Sequence, residues 1–247
     1  MSVIAIAGLL YLQSPITLLY QPAIGSSYKS EMSVEQSGGP MGDSSTSMKT
    51  LVKVLSFADG YYKLQTTTSD VKVTGGPADT SEIAKSMEKE STTFVDKNFK
   101  FKLDTKGADK DAKSKEMMNG LTQAFSGVTF PAKPINIGDT WNNSIDMGAL
   151  MKGMIPDPSA KVEGKVNLVY KLQKADETSV TIETTMSGTV NIEFSGQTIT
   201  MKISGSGTSG MERATGTPLN SNSKFSMDMD IAGQTMAITQ KITIKRI

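Results

Sequence analysis

The chain has 247 residues, no cysteine, no histidine and a formal net charge of +1. Without these two residue types it has no disulfide, no thiolate metal site and no Ser–His or Cys–His catalytic arrangement. Its near-neutral charge gives no electrostatic reason to expect nucleic acid as a partner, and its length and 37% hydrophobic content suit one large β-rich domain.

The first dozen residues, from Met1 to Leu12, are almost entirely apolar. Such a run is too short to span a membrane and has the size of the apolar part of a signal peptide, although no basic residue precedes it. We interpret residues 1–15 as the remnant of a signal sequence or, alternatively, as a buried first strand or short helix. The signal interpretation predicts an exported protein, periplasmic or extracellular. Residues 16–247 are then a single β-rich domain with a helical insertion near residues 79–126.

From Ser26 onward, short runs of alternating apolar and polar residues are separated by Gly, Ser, Asn and Asp. This period of two is typical of strands with one packed face. Asp59 and Gly60 lie between two such runs and predict a hairpin, because Asp-Gly tolerates positive φ at the tip. Val71 and Val73 continue the second run or begin another strand. The N-terminal part is therefore predicted to be a β-meander.

Two helices are predicted in the middle of the chain. Asp79 is a candidate N-cap for the first, with Glu82 in the opening turn and Met87 on the apolar face. Residues 109–125 are the stronger candidate, with aspartates in the first turn and apolar residues at i, i+4 and i+8. Between the helices, a strand is predicted from three apolar residues that alternate with lysines: Phe99, Phe101 and Leu103.

The C-terminal half contains six more alternating runs, whose remaining positions are Thr, Lys, Glu, Asp, Asn or Ser. Short connections leave no room for crossovers, so the strands are predicted to be antiparallel. Residues 204–224 are predicted to form two less regular, solvent-exposed strands around a Thr-Gly turn. The apolar positions are Val166, Leu168, Tyr170 and Leu172; Val180, Ile182 and Met186; Val190, Ile192 and Phe194; Ile199, Met201 and Ile203; Phe225, Met227, Met229 and Ile231; and Met236, Ile238, Ile242 and Ile244.

These patterns predict a mainly β protein of the α+β class. About nine to eleven strands would form one large, curved antiparallel sheet or half-barrel, with one or two helices packed on its concave face. A closed barrel with that number of strands also fits the pattern.

The segment Pro131-Ala-Lys-Pro-Ile-Asn-Ile-Gly-Asp-Thr-Trp141 resembles a Pro-x-x-Pro-Val-x-x-Gly-Asp-x-Trp segment found in an uncharacterised family of exported bacterial proteins and lipoproteins. The stretch from Leu18 to Tyr28 also resembles the start of that family's domain, so the likeness covers the chain from about residue 16 to the end. The resemblance implies export but no activity. The architecture is similar, by analogy, to the half-barrel lipoprotein carriers of bacterial envelopes, and fold analogy does not confer function.

No catalytic or cofactor-binding constellation is found in the sequence, and the protein is predicted not to be an enzyme. Asp228 and Asp230 share the polar face of a strand, which is typical of a solvated exterior. Acidic residues near Gly107 do not have the spacing of an EF-hand and are better interpreted as a polar turn before a helix than as a calcium site. The glycines between Gly205 and Gly210 lack the helix that a dinucleotide loop requires. No metal or cofactor is predicted.

The sixteen methionines are the most informative feature of the composition. Thioether side chains are flexible and polarisable, so they adapt to ligands of variable shape, but they also fill irregular cores. Trp141 is interpreted first as a core anchor and second as a ligand-stacking residue. Residues 147–155 would be a plug at one end of the barrel or a lid. The predicted apolar pocket consists of Met117, Leu121, Phe125, Trp141, Met151, Met186, Met201, Met227, Met229 and Met236.

Three functions are compatible with this sequence. The first is an exported, non-enzymatic protein, expected to be a monomer, that binds an apolar or lipid-like molecule between sheet and helix. The second is a structural or interaction module of the cell envelope with a filled core, no ligand and an envelope protein as partner. The third, a hydrolase using Ser and Lys, would need a perturbed Lys beside a Ser in a cleft.

Overall fold

The computed structural model describes residues 14–39, 42–76, 80–102, 128–147, 160–194, 197–231 and 234–247. The elements in these ranges are β1 (Ser27–Gly38), β2 (Ser44–Ala58), β3 (Tyr61–Gly75), α1 (Thr80–Met87), β4 (Glu90–Asp96), β5 (Phe101–Lys102), β6 (Thr140–Asp146), β7 (Lys161–Ala175), β8 (Ser179–Phe194), β9 (Gln197–Glu212), β10 (Pro218–Ile231) and β11 (Gln234–Arg246).

All eleven strands belong to one antiparallel sheet with the order β5-β4-β3-β2-β1-β11-β10-β9-β8-β7-β6. Two meanders, a first arm of β1–β5 and a second arm of β6–β11, are joined where β1 pairs with β11. β5 and β6 are the two edges, so the sheet is not closed. The predicted large antiparallel sheet is confirmed, and the closed barrel is wrong. A helix packed on the concave face is not shown by the part of the chain described, and the predicted helix 109–125 lies outside it.

The two edges of the sheet approach each other across a short piece of extended chain. The Trp141 side chain on β6 donates its indole N–H to the carbonyl of Thr129 at 2.6 Å. The next backbone N–H, that of Phe130, donates to the carbonyl of Asn98, beside β5, at 2.7 Å. Because one dipeptide contacts both edges, the sheet is curled rather than flat. Its buried face is called the inner face below.

Period-two patterning explains the core. In β7, Val166, Leu168 and Leu172 are at most 1% exposed, whereas Asn167, Val169 and Lys171 between them are exposed. Burying a side chain of this kind stabilises the fold by about 1.5–3 kcal/mol relative to leaving it exposed.

The predicted boundary between two strands in the second arm is wrong. Val180–Met186 and Val190–Phe194 were expected as two strands, but they form the single strand β8, which continues through Gly188.

Two segments cover one end of the sheet: residues 14–26 before β1, called the crossing segment below, and residues 128–139 before β6. Ile16 pairs with Ile135, Tyr20 donates its backbone N–H to Lys97, and Gln21 donates to Thr215, so these segments contact turns of both arms. We call this the closed end. It holds the β2–β3, β4–β5, β7–β8 and β9–β10 turns. Within it the β9–β10 turn needs Gly216, because its φ is positive and a Cβ there would collide with the carbonyl oxygen of Leu19.

Most local turn predictions are confirmed. Asp59 and Gly60 have positive φ and connect β2 to β3, as the Asp-Gly pair predicts. The helix after Asp79 forms as α1. The strand expected at 99–103 is shorter: Phe99 has a φ of 60° and lies buried in the β4–β5 turn, and β5 contains Phe101 and Lys102. Leu103 lies outside the described residues.

Residues 204–224 form the regular end of β9 and the start of β10 around the expected turn. They are less exposed than predicted, because Ser209, Met211 and Ser221 are buried on the inner face. No helix within the described ranges is long and apolar enough to cross a membrane.

Candidate ligand-binding site

The inner face of β9, β10 and β11 carries a cluster of methionines at the end of the sheet opposite the closed end. Met229 is in register with Met201 on one side and with Met236 on the other, forming a continuous row of three thioethers. In the adjacent row, Met227 lies between Ile203 and Ile238. These six side chains are called the methionine face. Their rows arise because all six occupy the inward positions of three successive antiparallel strands.

Burial across the methionine face is uneven. Met201 and Ile203 are 6% and 3% exposed, respectively. Met227, Met229, Met236 and Ile238 are only half-buried, although they point to the same side of the sheet. Half-buried thioethers on an inward face form an apolar surface that described neighbours do not fully cover. This is the property expected of a surface that accepts an apolar molecule.

Two methionines of the first arm also occupy inward positions, but they lie outside the methionine face. Met32 in β1 is paired with Met48 in β2 and with Ile244 in β11, and both methionines are half-buried. Ile244 is paired with Ser221 on its other side and is eight residues along β11 from Met236, so this pair lies nearer the closed end.

Trp141 is held by two interactions. Its ring is stacked on Tyr170 of β7 with 5.5 Å between centroids, and its indole N–H is paired with Thr129. Both its apolar surface and its donor are therefore used within the protein. This geometry favours the core-anchor interpretation of Trp141 over the ligand-stacking one.

Besides Trp141, the predicted pocket residues fall into three groups. Met201, Met227, Met229 and Met236 lie together. Met186 is buried on the same inner face opposite Gly205, which is two residues from Ile203 and therefore one inward position from the methionine face. The remaining members lie outside the described residues: Met117, Leu121, Phe125 and Met151. In the segment predicted as a plug or lid, Met147 is described, and it is 3% exposed.

A polar stripe crosses the inner face between the methionine face and the closed end. The hydroxyls of Ser209 and Ser221 lie 3.1 Å apart, and Gln240 donates to Gln36 at 2.7 Å. The Ser223 hydroxyl is buried and has no hydrogen-bond partner within the described structure. A buried hydroxyl without a hydrogen bond lowers the free energy of unfolding by about 1–3 kcal/mol. The inner face is thus amphipathic, with thioethers at one end and hydroxyl and amide groups beside them.

The closed end contains a second polar cluster. The Glu212 carboxylate accepts hydrogen bonds from the hydroxyls of Thr215 and Thr217 at 2.6 and 2.8 Å, and Arg246 lies 3.6 Å away. The two threonine hydroxyls, and then Arg246, lower the pKa of Glu212. The Arg246 guanidinium also lies over the ring of Tyr28, 5.6 Å from its centroid. These contacts connect the β9–β10 turn to β11 and β1, so we interpret the cluster as one that stabilises the fold.

A depression of about 300 Å³ opens at the closed end, lined by Ser14, Ile16, Ala175, Asp176, Glu177 and Arg213. One of its two carboxylates is already hydrogen-bonded within the protein, because Asp176 accepts the backbone N–H groups of Thr178 and Ser179 and both of their hydroxyls. These bonds lower the pKa of Asp176 from 3.8 to about 2. The depression lies at the end of β7, away from the methionine face.

Among the described residues, no group of three or more Asp and Glu side chains is placed to hold a metal ion. The acidic residues weighed as a calcium site, Asp104, Asp109 and Asp111, lie outside those residues. Asp228 and Asp230 are exposed on β10, as predicted for a wet face.

No protein-family model matches the chain, and no curated protein matches it significantly. Among solved structures, the chain aligns with two mutants of the Rh. blastica porin and with a chain described as "Asymmetric conductivity of engineered proteins". Each alignment has 7% sequence identity and a TM-score of 0.24, and it covers 90% of this chain and 99% of the other. A TM-score of this size supports no conclusion about function.

Proposed function

We propose that the protein is an exported, non-enzymatic binding protein that takes up an apolar or lipid-like molecule against the methionine face. The observation that carries the proposal is the incomplete burial of Met227, Met229 and Met236 at inward positions of a curled sheet. Inward residues of a filled core would be covered, as they are at the closed end. An acyl chain laid on this face would gain about 0.8 kcal/mol per buried CH₂.

The polar stripe suits a ligand with one polar end. A hydroxyl such as that of Ser223 can pair with an ester or carboxylate oxygen once the ligand is seated, while thioethers contact the chain. In this proposal the second wall of the site is the helix predicted over residues 109–125. The family resemblance around Trp141 is consistent with export and remains a prediction.

A structural or interaction module of the cell envelope is the alternative. The tightly packed closed end and the anchored Trp141 favour it, since they show how much of this chain serves packing. The two functions differ in whether the methionine face receives a small molecule.

Binding of dansyl-labelled undecanoic acid, followed by its fluorescence, tests the proposal. Met229→Gln combined with Met236→Gln places two amides on the face at nearly constant volume, and we expect about tenfold weaker binding because the amides must be desolvated. The matched control is Met229→Leu with Met236→Leu, which keeps the face apolar and should bind within about threefold of the wild type. Absence of binding by the wild-type protein, or equal binding by both double variants, would overturn the proposal in favour of the alternative.

A further inference from the structure

The tip of the first arm, at the closed end, combines exposed apolar side chains with lysines that form no ion pair with a described residue. Leu55 and Phe57 lie at the end of β2 and are 41% and 37% exposed. Leu55 belongs to the outer face, whereas Phe57 follows a bulge in β2, is paired with Tyr62 and packs 4.5 Å from the centroid of its ring. Ile24 is 62% exposed and lies beside Leu55, because Gly25 donates its backbone N–H to Val54 at 2.8 Å. Exposed apolar residues scattered singly are ordinary, but three adjacent ones on protruding turns form a patch.

Lysines surround this patch. Lys53 is two residues from Leu55 on the outer face of β2. Lys63 and Lys102 are the cross-strand neighbours of Phe94 on either side. Lys97, in the β4–β5 turn, holds its ammonium 5.4 Å from the centroid of the Phe57 ring. We call the six residues Lys53, Leu55, Phe57, Lys63, Lys97 and Lys102 the lysine tip.

Carboxylates are scarce at the lysine tip. None of its four lysines forms an ion pair with a described residue. The salt bridges among the described residues are made by Lys49, Lys161, Lys241 and Arg246. Two carboxylates are nearby: Asp59 lies in the β2–β3 turn, and Asp96 accepts the backbone N–H groups of Asn98 and Lys100, so the four lysines outnumber the carboxylates. A chain with a net charge of +1 thus has an uneven distribution of charge, with a local excess of positive charge at this corner.

The outer face of the second arm is different. There, Lys161 lies opposite Glu193 and Lys171 opposite Glu183 in the β7–β8 register, while Lys202 lies opposite Asp228. Lysines and carboxylates therefore balance each other across neighbouring strands. The charge excess belongs to the lysine tip and is not a general property of the sheet exterior.

We propose that the lysine tip, with Ile24, docks the protein on an anionic lipid surface. Apolar side chains on turns can enter the headgroup region, and lysines around them pair with lipid phosphates and carboxylates. An acidic protein partner would pair with the lysines, but this pairing would not explain why the exposed residues Ile24, Leu55 and Phe57 are apolar. This inference is independent of the methionine face, since the two surfaces lie at opposite ends of the sheet.

Co-flotation with vesicles tests the inference. We expect the full chain to bind vesicles of equal parts phosphatidylglycerol and phosphatidylcholine, to bind pure phosphatidylcholine much more weakly, and to lose binding as salt rises. The combined variant Lys53→Gln, Lys63→Gln and Lys102→Gln removes three charges and should weaken binding to the anionic vesicles about a hundredfold. The control Lys165→Gln, Lys171→Gln and Lys202→Gln removes the same charge from the second arm and should bind within about threefold of the wild type.

A second pair of variants separates insertion from simple charge attraction. Leu55→Ser and Val169→Ser change side chains that are equally exposed, 41% each, on the two arms. Leu55→Ser should weaken vesicle binding about fivefold, and Val169→Ser should leave it unchanged. The inference is overturned if the wild type does not float with anionic vesicles, if it binds phosphatidylcholine equally well, or if either control matches its test variant.

Discussion

The closed end and the methionine face belong to the same sheet and have the same strand patterning, yet they are packed differently. At the closed end, Tyr20 is fully buried, with its ring 5.4 Å from that of Tyr62 and 4.8 Å from that of Phe99. At the methionine face, Met229 and Met236 are only half-buried. An inward position is therefore not by itself a core position. What covers the face decides whether it is core or binding surface.

The largest expected effect is at the closed end. Tyr20→Ala should lower the free energy of unfolding by about 3–5 kcal/mol, because it leaves a cavity among packed aromatic rings. Urea unfolding of the variant and the wild type measures this change in the free energy of unfolding. A loss below about 1 kcal/mol would show that the crossing segment contributes little to the fold.

The Tyr20 hydroxyl gives the matched control. It is buried without a hydrogen-bond partner in the described structure, and burial raises its pKa, with the nearby Tyr28 raising it further. Tyr20→Phe should therefore be neutral or stabilise the protein by up to about 1 kcal/mol. A loss of stability would instead indicate that this hydroxyl is paired with Tyr28 in solution.

Gly216 tests the contact between the crossing segment and the β9–β10 turn. Gly216 and Gly60 both have positive φ, but a Cβ at Gly60 meets nothing within 4 Å, whereas one at Gly216 meets the backbone of Leu19. Gly60→Ala should cost about 1 kcal/mol from backbone strain alone. Gly216→Ala should cost about 2–3 kcal/mol more, because the segment must move. Equal thermal unfolding midpoints for the two variants would contradict the docking of Leu19.

At the methionine face, two adjacent residues should respond differently. Met201→Ala should cost about 2–3 kcal/mol, because that side chain is 6% exposed. Met229→Ala, one strand away and half-buried, should cost about 1 kcal/mol or less. Chemical denaturation of both variants in delipidated protein is the measurement. Similar losses at the two positions would mean that the face is covered and that the comparison with the closed end is wrong.

The smallest effect concerns acid stability at the closed end. Bonds from Thr178 and Ser179 lower the pKa of Asp176 to about 2 in the folded protein, so its contribution is present above pH 3.8 and is lost as the pH falls towards 2. In the wild type, the thermal unfolding midpoint should decline as the pH falls from 3.8 towards 2. Asp176→Asn should make this decline shallower and leave the pH dependence of the midpoint above pH 5 unchanged. Glu177→Gln, at the next position, is the control, and an equal flattening there would contradict the assignment to Asp176.

Local sequence signals predicted the strands well, since period two needs only one wet and one packed face. The Asp59-Gly60 pair predicted the β2–β3 hairpin. Phe99 was misassigned because alternation cannot distinguish a strand residue from a buried turn residue. Four of the predicted pocket methionines are brought together: Met201, Met227, Met229 and Met236.

The sequence by itself determined that the protein is an antiparallel β-sheet with one apolar and one polar face, because alternation is a local property of each strand. Only the tertiary structure decided that β1 pairs with β11, that the edges stay unclosed, and that the residues around Tyr20 cover one end. These are contacts between residues far apart in the chain, and no local pattern records them. They are also what leaves Met229 half-buried while Tyr20 is fully covered.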